Sequence, residues 1–125
     1  MPGDCRVVVC DDVADFRGLL VDILSGTQGF AVVGEAENGR EAVDVAGEQR
    51  PDVVLLDIAM PVMDGIEALP LIRTASPNSK VIVLTGFSSP AIRERALEGG
   101  AVGFLEKGTH PDVVVGAVRE ACAAT

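Results

Sequence analysis

Three carboxylates, one hydroxyl and one ammonium group stand just beyond short apolar runs of this sequence. They belong to Asp11, Asp12, Asp57, Thr85 and Lys107. Carboxylates crowded together repel one another, so a site that collects three aspartates needs a cation, and oxygen ligands favour a hard ion such as Mg²⁺. A carboxylate beside such an ion can attack phosphorus and form an acyl phosphate, while a lysine and a hydroxyl offset charge on the phosphoryl oxygens.

Each of these residues has a simpler explanation when it is taken alone. An aspartate after a strand usually forms a turn or caps the next helix, which would be the ordinary role of Asp12. Thr85 alone would satisfy a loop amide, and Lys107 alone would be a solvated surface charge. Independent capping does not require complementary chemical types at the one end of a sheet where ligands bind. The combination therefore indicates a site.

The apolar runs themselves predict five buried strands. They occupy residues 7–9, 31–33, 53–56, 81–84 and, more weakly, 102–105. Near-continuous Val, Ile and Leu runs of this length suit a parallel sheet that is covered on both faces. The strands alternate with helix-like segments, which predicts one doubly wound α/β domain over residues 1–125. In that fold class ligands bind at the carboxyl ends of the strands, where the polar residues stand.

Helices are predicted between the strands from their apolar period and their first residues. The apolar spacing of one amphipathic helix is carried by Phe16, Leu19, Leu20, Ile23 and Leu24. Cap residues followed three positions later by an acid are Asn38 with Glu41, Asp64 with Glu67, and Thr109 with Asp112. Ser89 with Pro90 predicts a helix over about residues 90–98, which Gly99 and Gly100 end. The last helix is expected over about residues 111–123.

Composition excludes several function classes. A net charge of −9 repels phosphate backbones, so no direct nucleic-acid partner is expected. No apolar run approaches the roughly 18 residues that span a bilayer, and no targeting segment opens the chain, so we expect no membrane contact and a cytoplasmic location. Cys5, Cys10 and Cys122 are odd in number and lack metal-ligand spacing. They are expected to be reduced, with Cys10 and Cys122 as small buried residues.

The sequence resembles the receiver domains of bacterial response regulators over essentially its whole length. The matching segments are VVVCDDVADFR at 7–17, VVLLDIAMPVMDGIEAL at 53–69, VIVLTGF at 81–87 and ALEGGAVGFLEKG at 96–108. The sequences of these segments are most similar to those of receivers that precede a helix-turn-helix output domain. The resemblance implies a flavodoxin-like (βα)5 fold with strand order 2-1-3-4-5, and a signalling protein rather than an enzyme.

The resemblance also implies a role for each strand-end residue. Asp57 would accept the phosphoryl group, and Asp12, Asp57 and the backbone carbonyl of Ala59 would bind Mg²⁺. Asp11 would act through metal-bound water. Lys107 would pair with the Asp57 carboxylate or its phosphate, and Thr85 would bond a phosphoryl oxygen.

A switch and its partners follow from the same resemblance. Thr85 and the aromatic Phe104 would transmit phosphorylation to the surface around the fourth helix, fifth strand and fifth helix. The phosphoryl donor would be a histidine kinase or a histidine phosphotransfer protein. A downstream protein, an output domain or a phosphorylation-dependent homodimer would occupy the switched surface, although no output domain is expected within residues 1–125. For Phe104 the simpler role is core packing.

Four positions depart from what the resemblance leads us to expect. Pro70 falls inside a predicted helix and should kink it or end it early. Gly108 follows Lys107 where many receivers have proline, so no cis peptide bond is expected there and the backbone is more permissive. Ala59 and Phe87 would border the path of the hydrolytic water, which neither can orient by a hydrogen bond. We therefore expect slow self-dephosphorylation.

Three other functions compete with this interpretation. A haloacid-dehalogenase-type phosphatase also uses a strand-end aspartate with Mg²⁺, but it needs a second carboxylate where this chain has Ala59. A flavodoxin-like flavin carrier would not place Asp11 and Asp12 at its phosphate loop. A pseudo-receiver, which keeps the fold as an interaction module without phosphorylation, is disfavoured by the intact set of strand-end residues.

Overall fold

The computed structural model describes residues 3–86 and 88–124, and over these it alternates five strands with five helices. The strands are β1 Cys5–Cys10, β2 Phe30–Ala36, β3 Val53–Leu56, β4 Lys80–Thr85 and β5 Gly103–Glu106. The helices are α1 Ala14–Ser25, α2 Gly39–Gln49, α3 Gly65–Ala75, α4 Pro90–Glu98 and α5 Pro111–Ala123. Each predicted apolar run lies within or largely within its strand.

All five strands are parallel and lie in the order β2-β1-β3-β4-β5. The predicted flavodoxin-like fold and its strand order are therefore confirmed. The chain moves outward from β1 to β2 and then returns to the other side of β1 for β3. This reversal creates a crevice at the carboxyl ends of β1 and β3, which is where doubly wound sheets bind ligands.

The sheet separates two apolar cores because its strands bury side chains on both faces. On one face, α1 contributes Leu20 and Leu24, and α5 contributes Val114, Val115 and Val118. The other face is covered by α2, α3 and α4. The buried helical residues there are Ala42, Ala46, Ala68, Leu69, Ile72 and Ala96. Burial on both faces holds the strand ends, and the polar residues just beyond them, in fixed positions.

Most of the predicted helix starts are confirmed. Asn38 accepts a hydrogen bond from the Glu41 amide at 2.9 Å, and Asp64 and Glu67 form a reciprocal capping box. Ser89 caps α4, which spans the predicted residues and ends before Gly100 at φ +103°. The Thr109 cap is wrong by one residue: α5 begins after His110, whose Nδ1 accepts from the amide of Asp112 at 3.1 Å.

Of the two outcomes predicted for Pro70, a kink or an early end of its helix, the early end is wrong. Helix α3 continues through Pro70 to Ala75. Leu69 and Ile72 are buried on the inner face of the helix, and their packing offsets the backbone hydrogen bond that proline cannot donate. The carbonyl of Pro70 still accepts a hydrogen bond, at 3.0 Å, from the Thr74 hydroxyl.

The cysteines also depart from expectation. Cys5 at the start of β1 is disulfide-bonded to Cys122 near the end of α5, with their Cα atoms 6.1 Å apart. The expectation that both are reduced is therefore wrong, and Cys122 is half-buried rather than buried. Cys10 is buried and free as predicted. Burial and the charge of Asp11 raise the pKa of the Cys10 thiol, which keeps it protonated.

Candidate functional site

Three aspartates meet at the carboxyl ends of β1 and β3. Cys10 and Leu56 are register partners in these neighbouring strands, so the next residues, Asp11 and Asp57, lie side by side. The amide of Asp57 donates to the Cys10 carbonyl at 3.0 Å and fixes this arrangement. Carboxylate oxygens of Asp11, Asp12 and Asp57 all lie within 4.8 Å of one another. The cluster is predicted by the sequence, and the sheet assembles it.

Asp11 and Asp12 occupy different depths of this cluster. Asp11 is 2% exposed, and its Oδ1 accepts a hydrogen bond from the Val13 amide at 2.9 Å. Asp12 is exposed at the mouth of the crevice. Val13 is the N-cap of α1, and no side chain among the described residues caps this helix. The ordinary capping role for Asp12 is therefore excluded, and its carboxylate is available to a ligand.

Lys107 supplies the positive charge at the centre of the cluster. Its Nζ lies 2.8 Å from Asp11 Oδ2 and 3.0 Å from Asp57 Oδ2. Its backbone amide donates to the Thr85 carbonyl at 2.9 Å, which ties the end of β5 to the end of β4. Burial lowers the pKa of the Lys107 ammonium, but the two carboxylates raise it more, so the pKa stands above its ordinary value.

Asp57 is as tightly held as Asp11. It is 2% exposed, and its Oδ1 accepts from the Ile58 amide at 2.8 Å while its Oδ2 faces Lys107. Burial raises the pKa of the Asp57 carboxyl, Lys107 lowers it, and the charge of Asp11 raises it again. The result is a pKa above the ordinary value. Asp57 is thus a buried carboxylate with one fixed oxygen and one oxygen beside an ammonium.

Thr85 and Phe104 lie on β4 and β5, the two strands on one side of β3. Thr85 is the last residue of β4, is 1% exposed and pairs in register with Glu106 of β5. Phe104, two residues before Glu106, lies on the same face of the sheet because side chains alternate along a strand. Phe104 is half-buried against the core under α4, and the Arg93 guanidinium lies 5.9 Å from its ring centroid. Thr85 and Phe104 therefore share one side of β4 and β5.

Of the other two predicted residues, the structure describes only Ala59. Ala59 is exposed two residues beyond Asp57, and within the described residues no amide donates to its carbonyl, whereas the Ile58 carbonyl accepts from Met60 and Gly65. The Ala59 carbonyl is therefore available as a ligand. Phe87 lies outside the described residues.

Two supporting residues were missed by the sequence analysis. Gly65 begins α3 directly against β3, and a side chain there would clash with the Asp57 carbonyl, so the close approach requires glycine. Its signal is the Asp64-Gly65 pair at a predicted helix start. Arg17 donates from Nη1 to the Asp11 carbonyl at 2.6 Å and from Nε to Glu35 at 3.0 Å. Only the tertiary structure identifies this bridge between α1, β1 and β2.

The donor set of the cluster suits a hard divalent cation. Asp11, Asp12 and Asp57 offer oxygen atoms alone, and two of these carboxylates are buried beside a single ammonium. Three negative charges against one positive charge leave an excess that a divalent ion would neutralise. The exposed position of Asp12 leaves the cluster open to solvent on one side. The site can therefore admit an ion and a small anionic reactant.

Comparison with known proteins identifies the family. The family model for the response regulator receiver domain matches residues 7–119. The chain is a response regulator receiver domain. The receiver is 42% identical over 115 residues to the chemotaxis protein CheY of Thermotoga maritima, covering 92% of this chain and 95% of that protein. It superposes with TM-score 0.93 on the signal receiver domain of the response regulator NarL from Mycobacterium tuberculosis, at 37% identity and with 99% and 100% of the two chains covered.

The receiver also resembles part of a longer regulator. It is 40% identical to the transcriptional regulatory protein LnrK of Bacillus subtilis, covering 90% of this chain and 51% of that protein. The chain thus spans about half the length of that relative, and nearly the whole length of CheY. Among the described parts of the receiver, no helix is long and apolar enough to cross a membrane.

Proposed function

We propose that this receiver is a phosphorylation switch in which Asp57 accepts a phosphoryl group with the help of Mg²⁺. The observation that carries the proposal is the position of Asp57, whose buried carboxylate lies 3.0 Å from the Lys107 ammonium and shares a cluster with Asp11 and Asp12. A nucleophile, a cation and an acidic metal cluster are the parts that phosphoryl transfer to a carboxylate requires.

Each site residue would have its own role in phosphoryl transfer. Asp12, Asp57 and the Ala59 carbonyl would hold Mg²⁺ directly, and Asp11 would do so through water. The bound ion would neutralise charge on the phosphoryl oxygens. Asp57 forms an oxygen–phosphorus bond as the nitrogen–phosphorus bond of a donor phosphohistidine breaks. Lys107 would then pair with the new phosphoryl group, and the Thr85 hydroxyl would donate to one of its oxygens.

The class of phosphoryl donor follows from this chemistry. A phosphohistidine is presented by a histidine kinase or a histidine phosphotransfer protein, and small acyl phosphates can substitute for it. We place the receiver in the cytoplasm, without direct nucleic-acid or membrane contact. It acts as a signalling domain whose only catalysis is its own phosphorylation and dephosphorylation.

The output would be a change in the surface formed by α4, β5 and α5. Phe104 borders an open cleft of about 680 Å³ on this surface, together with Ser89, Arg93 and Thr109. Movement of the Thr85 hydroxyl toward a phosphoryl group would leave space beneath Phe104 and favour a more buried ring. A downstream protein, an output domain or a second phosphorylated copy would read this change. Phe104→Leu should weaken the response while Asp57 still becomes phosphorylated.

Intact-protein mass spectrometry tests the central claim. The receiver is incubated with acetyl phosphate, with and without Mg²⁺, beside Asp57→Asn and the exposed control Asp44→Asn. We expect one Mg²⁺-dependent phosphoryl adduct on wild type and on Asp44→Asn, and none on Asp57→Asn. No adduct on wild type with acetyl phosphate or a phosphoramidate would favour the pseudo-receiver. Steady turnover of a phosphate ester would instead favour the phosphatase.

The phosphoryl group on Asp57 should be long-lived. The Ala59 side chain is an exposed methyl group and, like Phe87, it offers no hydrogen bond to orient an attacking water. Phe87→Glu should therefore lose its phosphoryl group faster than wild type, because a carboxylate can orient water. The measurement is the decay of the adduct after acetyl phosphate is removed. An unchanged or slower decay in Phe87→Glu would contradict the assignment of this rim.

A further inference from the structure

The ammonium of Lys107 has a third neighbour besides its two carboxylates. The ring of Phe16 lies beneath it, with Nζ 4.8 Å from the ring centroid. This distance is within the range at which the negative face of an aromatic ring attracts a cation. Asp11, Asp57 and Phe16 come from three different elements, so the ammonium is held from several sides at once.

The backbone around Lys107 supports it on one side only. Its amide is bonded to the Thr85 carbonyl, but Gly108, the next residue, is exposed, and no atom lies within 4 Å of the position where its Cβ would be. Strand β5 has four residues and pairs only with β4 at the edge of the sheet. A lysine stem is flexible, so side-chain contacts must determine where the ammonium stays.

Phe16 is suited to provide such a contact because its own position is fixed. It belongs to α1 and packs against the core under α1 and α5. Phe16 and Lys107 both line an apolar cleft of about 230 Å³, together with Leu20, Pro111 and Val115. Phe16 is half-buried, so part of the water that would weaken its attraction for the cation is removed.

We propose that Phe16 is a positioning residue that holds Lys107 at Asp57 during phosphoryl transfer. The proposal rests on the proposed function, because it concerns the same reaction. With the ring in place, the ammonium stays between Asp11 and Asp57 and is ready for the phosphoryl oxygens. With an aliphatic residue in its place, the stem keeps an apolar neighbour but the ammonium loses the attraction of the ring and spends more time in water.

The effect on rate should be moderate and should depend on the aromatic ring. Phe16→Leu should slow phosphorylation by acetyl phosphate about fivefold, in keeping with a partly desolvated cation–aromatic contact. The loss should appear in the maximal rate rather than in the acetyl phosphate concentration for half-maximal rate, because Lys107 acts on the reacting group. Phe16→Tyr should restore the rate, since a phenol ring keeps the negative face.

A spectroscopic readout separates positioning from simple packing. Lys80 and Lys107 are the lysines of this chain, so ¹³C-lysine labelling gives two side-chain signals and Lys80 serves as the internal reference. We expect the Lys107 ε-protons of wild type and Phe16→Tyr to lie upfield of those of Lys80, because they lie over a ring face. The difference should be lost in Phe16→Leu. This measurement needs neither phosphorylation nor metal.

Phe30 offers a matched control elsewhere in the molecule. It also lies beneath a cation, with the Arg119 guanidinium 5.2 Å from its ring centroid, but it belongs to β2 and is buried in the core. Phe30→Leu should lower thermal stability at least as much as Phe16→Leu and leave the phosphorylation rate within about twofold of wild type. An equal loss of rate in Phe30→Leu would show that Phe16→Leu slows phosphorylation only because it lowers stability.

A double-mutant cycle completes the test. In a Lys107→Met background, Phe16→Leu should have no further effect on the rate, because the group that the ring holds is gone. Independent, multiplying effects would overturn the proposal, as would a wild-type Lys107 signal without the upfield shift. If wild type takes no phosphoryl group although the shift is present and ring-dependent, the proposed function fails while the contact between Phe16 and Lys107 stands.

Discussion

Lys107 Nζ lies 3.0 Å from Asp57 Oδ2 although their strands, β5 and β3, are not neighbours. Strand β4 lies between them, so the backbones are separated by two inter-strand spacings, roughly 10 Å. A long side chain is needed to cross that distance. Because the same ammonium lies 2.8 Å from Asp11, one lysine is the shared counterion of two buried carboxylates.

Replacement of this lysine should have opposite effects on stability and on metal binding. Lys107→Met leaves Asp11 and Asp57 buried without their cation, which should lower the free energy of unfolding in metal-free buffer by about 1–3 kcal/mol. The same change removes a positive charge that competes with a divalent ion, so Mg²⁺ should bind roughly tenfold more tightly. Thermal melts with EDTA and Mg²⁺ titrations measure the two quantities.

Lys80 provides the control for that experiment. It begins β4 at the opposite end of the strand from Thr85, and among the described residues it forms no ion pair. Lys80→Met should leave Mg²⁺ affinity unchanged. Weaker Mg²⁺ binding by Lys107→Met would show that the lysine assists the ion instead of competing with it.

Asp57→Asn should make the metal-free receiver more stable at neutral pH. Burial and the charge of Asp11 hold the pKa of the Asp57 carboxyl above its ordinary value of 3.8 despite the bond from Lys107. A raised pKa means that stability is lost as the pH rises through the folded-state value. Asparagine avoids this loss, so the free energy of unfolding should rise by on the order of 1 kcal/mol, as is common when a functional site is neutralised.

The difference in free energy of unfolding between Asp57→Asn and wild type should depend on pH, and the direction of that dependence tests the argument independently. Below pH 3.8 the carboxyl is protonated in both the folded and the unfolded state, so the advantage of Asp57→Asn should shrink as the pH falls toward that value. The measurement is the difference in urea midpoint between the two proteins from pH 7 downward. The same measurement on Asp44→Asn controls for the loss of an exposed carboxylate elsewhere in the molecule. A difference that grows on acidification would refute the argument.

Local sequence patterns predicted the fold and the site because both depend on short segments. Each strand is an apolar run, and each site residue follows such a run, so parallel pairing brings Asp11 and Asp57 together without further information. The caps at Asn38, Asp64 and Ser89 were likewise visible because a helix start is encoded within four residues.

Contacts between distant segments were not predictable in the same way. Cys5 and Cys122 are 117 residues apart, and no spacing rule relates them. In the sequence, Phe16 is one of several apolar residues on a helix face. Only the structure shows that the Lys107 ammonium lies over its ring. Pro70 shows the reverse case, in which a local rule predicted a helix end and tertiary packing overrode it.

Val62 should be a site where glycine increases stability. It lies in the loop between β3 and α3 at φ +69°, a left-handed conformation that is strained for a β-branched residue, and it is 83% exposed. Val62→Gly relieves the strain and removes little packing, so the free energy of unfolding should rise by about 1 kcal/mol. Urea denaturation measures the change.

Val102 is the matched control for Val62. It is also an exposed valine, at 55%, but it is not among the described residues with a positive φ. Val102→Gly should therefore lower the free energy of unfolding by about 0.5–1 kcal/mol, because glycine only adds conformational freedom to the unfolded chain. If both glycine variants are destabilised equally, the left-handed conformation of Val62 carries no strain.

The Cys5–Cys122 disulfide should make the stability of the receiver depend on reductant. The bond joins the first strand to the last helix across 117 residues. A native disulfide is worth about 3 kcal/mol in typical proteins, or roughly 10 °C in melting temperature. Dithiothreitol should lower the melting temperature of wild type by that amount and leave Cys122→Ser unchanged. Alkylation under denaturing, non-reducing conditions should label Cys10 alone in wild type. Labelling of all three cysteines in air-oxidised protein would show that the pair stays as thiols, which is the state that a reducing cytoplasm would favour.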